Sequence, residues 1–357
     1  MCQAPPTFNT PRSAAMRPGF MVTVVTVLVI VTVLGFLWLT GHLRQVKEPL
    51  IDVHFALSPT PFNVTARYAH DHGFFLEEGL NVIFEPILTG YAGLRGLSLP
   101  GVRVTAAAES AVGAAIANGV PIKVLASVAS IIDLVVIAYR KDLGIHRFQE
   151  LAGRRIGIAS RTTSDYYLDV MLELNGMKRE NVTIVSMPLD ELGKALKNGT
   201  VDAISIWSPH YERIREEIPN TIGIFGNEGL YHWSWLLTVR DDDDDPLNRN
   251  TYTRLLRAMI RAGNAIQAQP KEAADELAPW VGTTPQILLG MWSWCSFDVQ
   301  LGQSVLLQIE NAARWYQVRD FPDAQGTPSI DVLSAIDPIP LRLADPIRVQ
   351  LIHPAIP

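Results

Sequence analysis

Residues 151–176 read LAGRRIGIASRTTSDYYLDVMLELNG, and this stretch decides the class of fold. Residues 155–159 (RIGIA) are a short apolar run that suits a buried strand. Ser160, Arg161, Thr162, Thr163 and Ser164 follow as a polar turn, and residues 165–174 read as a helix closed by Asn175-Gly176. A strand feeding a helix through a short polar turn is the repeating unit of α/β proteins with mostly parallel sheets. The N–H groups of the helix start and the hydroxyls of the turn then gather at the carboxyl end of the strand, where an anionic or electronegative group is favoured. Plain N-capping by Thr163 or Ser164 is the other use of such hydroxyls.

Outward from this unit the same alternation continues. Upstream, residues 51–57 read as a strand ending at Ser58-Pro59-Thr60-Pro61, residues 63–78 as a helix stopped by Gly79, and residues 81–86 as a strand. Residues 106–118 read as a small-residue helix ended by Gly119, and residues 122–128 and 134–139 as strands that complete a first lobe. Downstream, strands are expected at 182–186, 203–207, 221–225 and 235–239, with a helix at 190–197. Residues 252–268, 271–277, 285–289 and 303–318 read as helices, and the Pro-rich C-terminal stretch as a strap along the surface. The expected division is a first lobe over 50–140, a second over 141–232, and a return to the first over 233–357. No repeat of solenoid period is present.

With 357 residues, 48% hydrophobic, the chain buries one large or two medium cores. A net charge of -6 and the absence of a basic cluster interleaved with aromatics argue against a nucleic-acid partner. The N-terminus carries a separate signal. Residues 20–39 (FMVTVVTVLVIVTVLGFLWL) contain no charge and as a helix would reach about 30 Å, enough to cross a hydrocarbon core. Arg12 and Arg17 precede the stretch with no acidic residue among them, which places residues 1–19 in the cytoplasm, 20–40 in the membrane and the body outside. No small-x-small cleavage pattern follows, so an uncleaved signal anchor is favoured over a removed signal peptide. Cys2 and Cys295, the two cysteines, then lie on opposite sides of the bilayer and cannot pair.

Four segments in order resemble one family, the ABC-transporter substrate-binding proteins of the nitrate, sulfonate and taurine type, related to the binders of thiamine-pyrimidine precursors (NMT1/THI5-like). They are residues 61–82 (PFNVTARYAHDHGFFLEEGLNV), 114–126 (AAIANGVPIKVLA), 151–176, and 197–211 (KNGTVDAISIWSPHY). The resemblance implies a type II periplasmic-binding-protein-like fold, with two α/β lobes joined by crossing strands and a ligand enclosed between them by hinge closure. It also implies a small polar solute (a sulfonate, nitrate, an amino-pyrimidine or a relative), ABC permease and ATPase partners, and a place on the extracytoplasmic face of the inner membrane.

The candidate ligand-binding residues follow from strand ends and from that family. Thr162, Thr163 and Ser164 are carried over from the resembled turn, with Tyr166 one turn into the helix either reaching the cleft or packing. Trp207, at the end of residues 203–207, is placed to cover a ligand face, or to pack near Pro209 and Tyr211. On the first lobe, Thr60, Phe62 and Tyr91 follow strands and fall on the cleft side. Glu109 interrupts an alanine-rich run where relatives place a pocket polar group, and a carboxylate there would prefer an amine or ring N–H partner; an exposed charge at a helix start is the alternative. His232, with Trp233 and Trp235, sits where the chain returns between lobes, either lining the cleft mouth or packing the crossing strands. The run 241–245 (DDDDD) lacks the alternating ligands of a calcium loop and reads as a solvated turn. No metal or cofactor motif is present, so binding without a cofactor is expected. An enzyme on the same fold and a solute sensor for a membrane partner are the rival classes.

Overall fold

The run IDVHFAL forms the first strand, β1 (Ile51–Leu57), because its β-branched and aromatic residues suit a pleated surface. Val53, Phe55 and Leu57 on one face and Ala56 on the other are all buried, as in a strand covered on both sides. The computed structural model describes residues 1, 29–33, 49–99, 101–132, 135–226, 231–241, 246–320 and 330–352. The chain divides into two units, Met1–Pro49 and Leu50–Pro357. In the first, residues 29–33 are helical and exposed, whereas residues 20–28 and 34–40 of the expected anchor lie outside the described residues. Among the described residues no helix is long and apolar enough to cross a membrane.

In the second unit the strands of the two larger sheets after β1 are β2 (Leu80–Pro86), β3 (Val104–Ala108), β4 (Ile122–Ile132), β5 (Val135–Arg140), β6 (Arg155–Ile158), β7 (Thr183–Ser186), β8 (Ala203–Trp207), β9 (Ile222–Phe225), β10 (His232–Arg240) and β11 (Cys295–Ser296). They build a six-stranded sheet of order β11-β4-β10-β3-β1-β2 and a five-stranded sheet of order β7-β6-β8-β5-β9. The chain therefore passes between sheets twice, from β4 to β5 and from β9 to β10. In the first sheet β10 runs antiparallel between β3 and β4, while β1 is parallel to β2 and β3. In the second, β6 is parallel to β7 and β8, and β5 antiparallel to β8 and β9. The carboxyl ends of β1 and β3 on one side, and of β6 and β8 on the other, thus feed the loops of a single cleft.

Three local expectations are corrected. Residues 106–118 are not one helix: Ala106, Ala107 and Ala108 end β3, and the helix is Glu109–Ala117. Pairing with β10 and the bond from Thr105 Oγ1 to the Ala56 carbonyl (3.0 Å) override alanine's preference for helix. The helix expected over 63–78 breaks into Val64–Asp71 and Phe74–Glu77 at Gly73, whose φ of 71° is left-handed. β5, read as the last strand of the first lobe, belongs to the second sheet, where Val135 pairs with Trp207. That pairing joins residues far apart in sequence, which a local hydrophobic pattern does not encode.

The C-terminal region returns to the first sheet. Helix Gln303–Asp320 packs along Glu109–Ala117, and a Cβ on Gly113 would fall 2.6 Å from Ala312 Cβ and 2.7 Å from the Ala313 nitrogen. In the described part of the expected C-terminal strap, helix Ile339–Ala344 packs on Pro246–Ala268, and Val349–Gln350 pairs with Leu301–Gly302. Because backbone must yield for any side chain at position 113, Gly113→Ala is expected to destabilise the protein by about 1–3 kcal/mol, read as a lower midpoint in urea unfolding at unchanged slope.

Candidate ligand-binding cleft

The first sheet contributes a loop fixed by one buried amide. Asn63 Nδ2 donates to the Ser58 carbonyl (2.9 Å), and its Oδ1 accepts from the Trp235 indole N–H (2.7 Å), tying the loop after β1 to β10. Phe62 packs against Trp235 with ring centres 5.3 Å apart. Thr60 lies between, with its hydroxyl buried and without a hydrogen-bond partner among the described residues. After β2, the Thr89 side chain caps helix Gly90–Gly96 by accepting from the Ala92 N–H (3.3 Å), and Tyr91 is set on the cleft wall.

The second sheet contributes the turn after β6. Arg161 adopts a left-handed φ of 59°, an uncommon state for a residue with a side chain. Its N–H donates to Asp165 Oδ2 (3.0 Å), which holds the turn in place. The Thr162 hydroxyl donates to the Ala159 carbonyl (2.6 Å) and accepts from the Ser164 N–H (3.3 Å), capping helix Thr163–Leu174. The Arg161 guanidinium stands 6.0 Å from the ring centre of Tyr91, on the opposite lobe. At the two helix starts, Thr163 Oγ1 and Ser110 Oγ lie 3.3 Å apart. Trp207 ends β8 with its ring edge-on to His210 at 5.7 Å. Burial, then the nearby Arg213 charge, lowers the His210 pKa to about 4, so this neighbour is neutral at physiological pH.

Thr60, Phe62, Tyr91, Thr162, Thr163 and Trp207 are brought together on one cleft. Its cavity volume is about 40 Å³, room for about three waters. The other predicted residues lie elsewhere. Ser164 is fully buried beneath the turn, its hydroxyl 3.1 Å from that of Thr162. Tyr166 packs edge-on between Tyr231 and Trp315 (5.8 and 5.1 Å), and burial raises its phenol to about 12. His232 is exposed at the start of β10, and its carbonyl accepts from Gln308 Nε2 (3.0 Å). Glu109 is neither a cleft carboxylate nor an exposed charge: its side chain accepts from Tyr231 Oη (3.0 Å) and the Ser234 N–H (2.9 Å). The strand β10, paired beside β3, supplies the Ser234 donor, and Tyr231 just before it supplies the other. Burial pushes the Glu109 pKa up to about 7, against the opposing pull of these hydrogen bonds.

Arg161 also lines the cleft, as do Thr89, whose segment follows a strand on the cleft side, and Trp235, where the chain returns between lobes. Arg161 stood in the very turn singled out, but its left-handed backbone leaves no mark in a non-glycine sequence. Among the described residues no group of three potential metal ligands occurs. Of the acidic run, Asp241 pairs with Lys123 (3.3 Å), and residues 242–245 lie outside the described residues.

Two α/β lobes linked by two passages of the chain, with a cleft where their strand ends converge, define the periplasmic-binding-protein fold. An alkanesulfonate-binding protein from Xanthomonas axonopodis pv. citri, solved bound to MOPS, matches with a TM-score of 0.68 over 81% of this chain and 99% of its own, at 14% identity. The periplasmic nitrate-binding protein of Synechocystis PCC 6803 matches with a TM-score of 0.65 over 84% and 89%, at 13% identity. By sequence, a putative aliphatic sulfonates-binding protein of Bacillus subtilis (strain 168) is 27% identical over 195 residues, 55% of this chain and 58% of that protein. The taurine-binding periplasmic protein of Escherichia coli (strain K12) is 24% identical over 173 residues, 48% and 52% of the two chains. The chain spans about half the length of these curated relatives. The NMT1/THI5 like family model matches residues 62–273, and the chain belongs to that family.

Glu109 gives a testable pH dependence. A folded-state pKa near 7, above the ordinary value of 4.5, means that the folded protein holds a proton the unfolded chain has released. The contribution is fully present below pH about 4.5 and is lost as pH rises through about 7. The difference in Tm between the wild type and Glu109→Gln is therefore expected to move against the wild type from pH 5 to pH 8. A pH-independent difference in calorimetric scans would contradict this assignment.

Proposed function

We propose that this protein captures a small anionic solute, a sulfonate first among the candidates, outside the cytoplasm and presents it to an ABC permease and ATPase after the lobes close on it. One observation carries the reading: Arg161 and the Thr162 and Thr163 hydroxyls line one wall of a cleft, at a helix start, opposite aromatic side chains of the other lobe. A guanidinium with helix-start N–H groups suits an oxyanion, and Phe62, Tyr91, Trp207 and Trp235 suit an apolar tail. The sulfonate- and taurine-binding relatives support that choice. Glu109, held by β10, offers no acceptor to an amine, which weighs against amino-pyrimidines. Capture at a membrane also accords with the charge-free stretch 20–39 behind Arg12 and Arg17, as an uncleaved anchor.

Titration calorimetry with taurine, MOPS, short alkanesulfonates and nitrate tests the solute. A sulfonate is expected to bind, and Arg161→Gln to weaken it by about 10-fold or more, the scale of a charge-assisted hydrogen bond. Trp207→Ala should weaken long-tailed sulfonates more than taurine. If no anion in the series binds, or if Arg161→Gln leaves their affinities unchanged, the assignment of the cleft falls. For the anchor, the full chain is expected in the membrane fraction and resistant to carbonate extraction, and a chain lacking residues 1–42 in the soluble one.

A further inference from the structure

Behind the cleft lies a charge cluster, built round one buried carboxylate, that spans both lobes. Asp165, 1% exposed in its side chain, sits in the first turn of helix Thr163–Leu174. It accepts from the Arg161 N–H (3.0 Å), Arg179 (2.9 Å) and Arg319 (2.6 Å). One turn on, Asp169 accepts from Arg179 (2.7 Å) and from the Trp315 indole N–H (3.0 Å). The Arg319 guanidinium lies over the rings of Trp315 and Tyr316, at 4.5 and 4.7 Å. Asp165, Asp169 and Arg179 belong to the second lobe. Trp315 and Arg319 belong to helix Gln303–Asp320, which is seated on helix Glu109–Ala117 of the first lobe at Gly113 and bonded through Gln308 to Ser234 of β10 (2.6 Å).

We propose that Arg319 and Trp315 are positioning residues for the cleft, tying its cationic turn to the opposite lobe and cancelling the Asp165 carboxylate beneath it. The position argument is geometric. Asp165 fixes the Arg161 backbone, and Arg319 fixes Asp165 from an element anchored in the other lobe. The charge argument is electrostatic: a carboxylate in the first turn favours the helix dipole but repels any anion drawn to the same helix start. Two guanidinia against two carboxylates balance the cluster. Without Arg319, Arg179 is the one cation left on both carboxylates among the described residues, and one negative charge stays buried under the turn. The charge argument rests on the anion reading of the cleft; the positional argument does not.

The experiment uses the full chain as wild type, Arg319→Gln, Arg319→Lys, Trp315→Phe and the double variant Asp165→Asn with Arg319→Gln. Hydrogen exchange without any solute reads position. Arg319→Gln is expected to speed exchange of the amides of residues 160–166 by about tenfold or more while β1 and β3 keep wild-type protection, with Arg319→Lys and Trp315→Phe in between. Calorimetry with MOPS and taurine reads charge. Arg319→Gln should lower affinity about tenfold, and the double variant should recover most of it. Wild-type exchange at residues 160–166 in Arg319→Gln would overturn the positional role, whether or not any sulfonate binds. If the wild type binds and the double variant binds no better than Arg319→Gln, the charge role is overturned. Failure of the wild type to bind either sulfonate overturns the anion reading, and the charge role with it. Loss of protection throughout both sheets in Arg319→Gln would show a general scaffold residue and would likewise overturn the proposal.

Discussion

The insertion of β10 between β3 and β4 is the constraint on which the rest depends. A chain that has left the first sheet to build a second must return, and it returns as an antiparallel strand in the middle of the first. That placement seats Trp235 on the cleft, where Asn63 holds its indole, and puts the Ser234 N–H and the Tyr231 hydroxyl on Glu109. It also gives helix Gln303–Asp320 a partner through Gln308. One strand thus organises the cleft wall, the buried carboxylate and the C-terminal helix together.

Charge is handled in the interior by two different means. Glu109 has neutral donors only, so burial dominates and the proton is retained to near neutrality. Asp165 has two guanidinia and a backbone N–H within hydrogen-bond reach. Such a site compensates ionised carboxylate by geometry, and removing one partner leaves a charge with nowhere to go. The two acids lie near the starts of the helices that face each other across the cleft, yet neither contributes a side chain to its lining.

Much of this was legible in the chain. Strands β1 and β8 follow from short apolar runs with clean polar ends, and the turn at Thr162 and Thr163 follows from a strand that must feed a helix. Six predicted cleft residues share one wall or the other because strand ends converge in this topology. What escaped was what distant parts of the chain do to one another. Ala106 to Ala108 carry a helical preference that lateral pairing overrides, and β5 changes sheet because its partners come some seventy residues later, at β8. Glu109 and Tyr166 have the chemistry of pocket residues; only the return of β10 and the C-terminal helix turns them inward. Arg161 was hidden for the opposite reason, since its backbone conformation is set by Asp165 and not by its own identity.

The contact at Gly113 reaches beyond this one protein. Two helices that meet backbone to methyl leave no volume for independent drift: a larger residue at position 113 would meet the backbone of residues 312 and 313 as well as the Ala312 methyl, and is tolerable only if the helices part. Because the second helix also carries Arg319, parting them would move the ion pair with Asp165. Among descendants of a common ancestor, positions 113, 312, 319 and 165 should therefore vary as a group, so that a record of inherited substitutions would preserve the mechanical linkage long after overall identity has eroded.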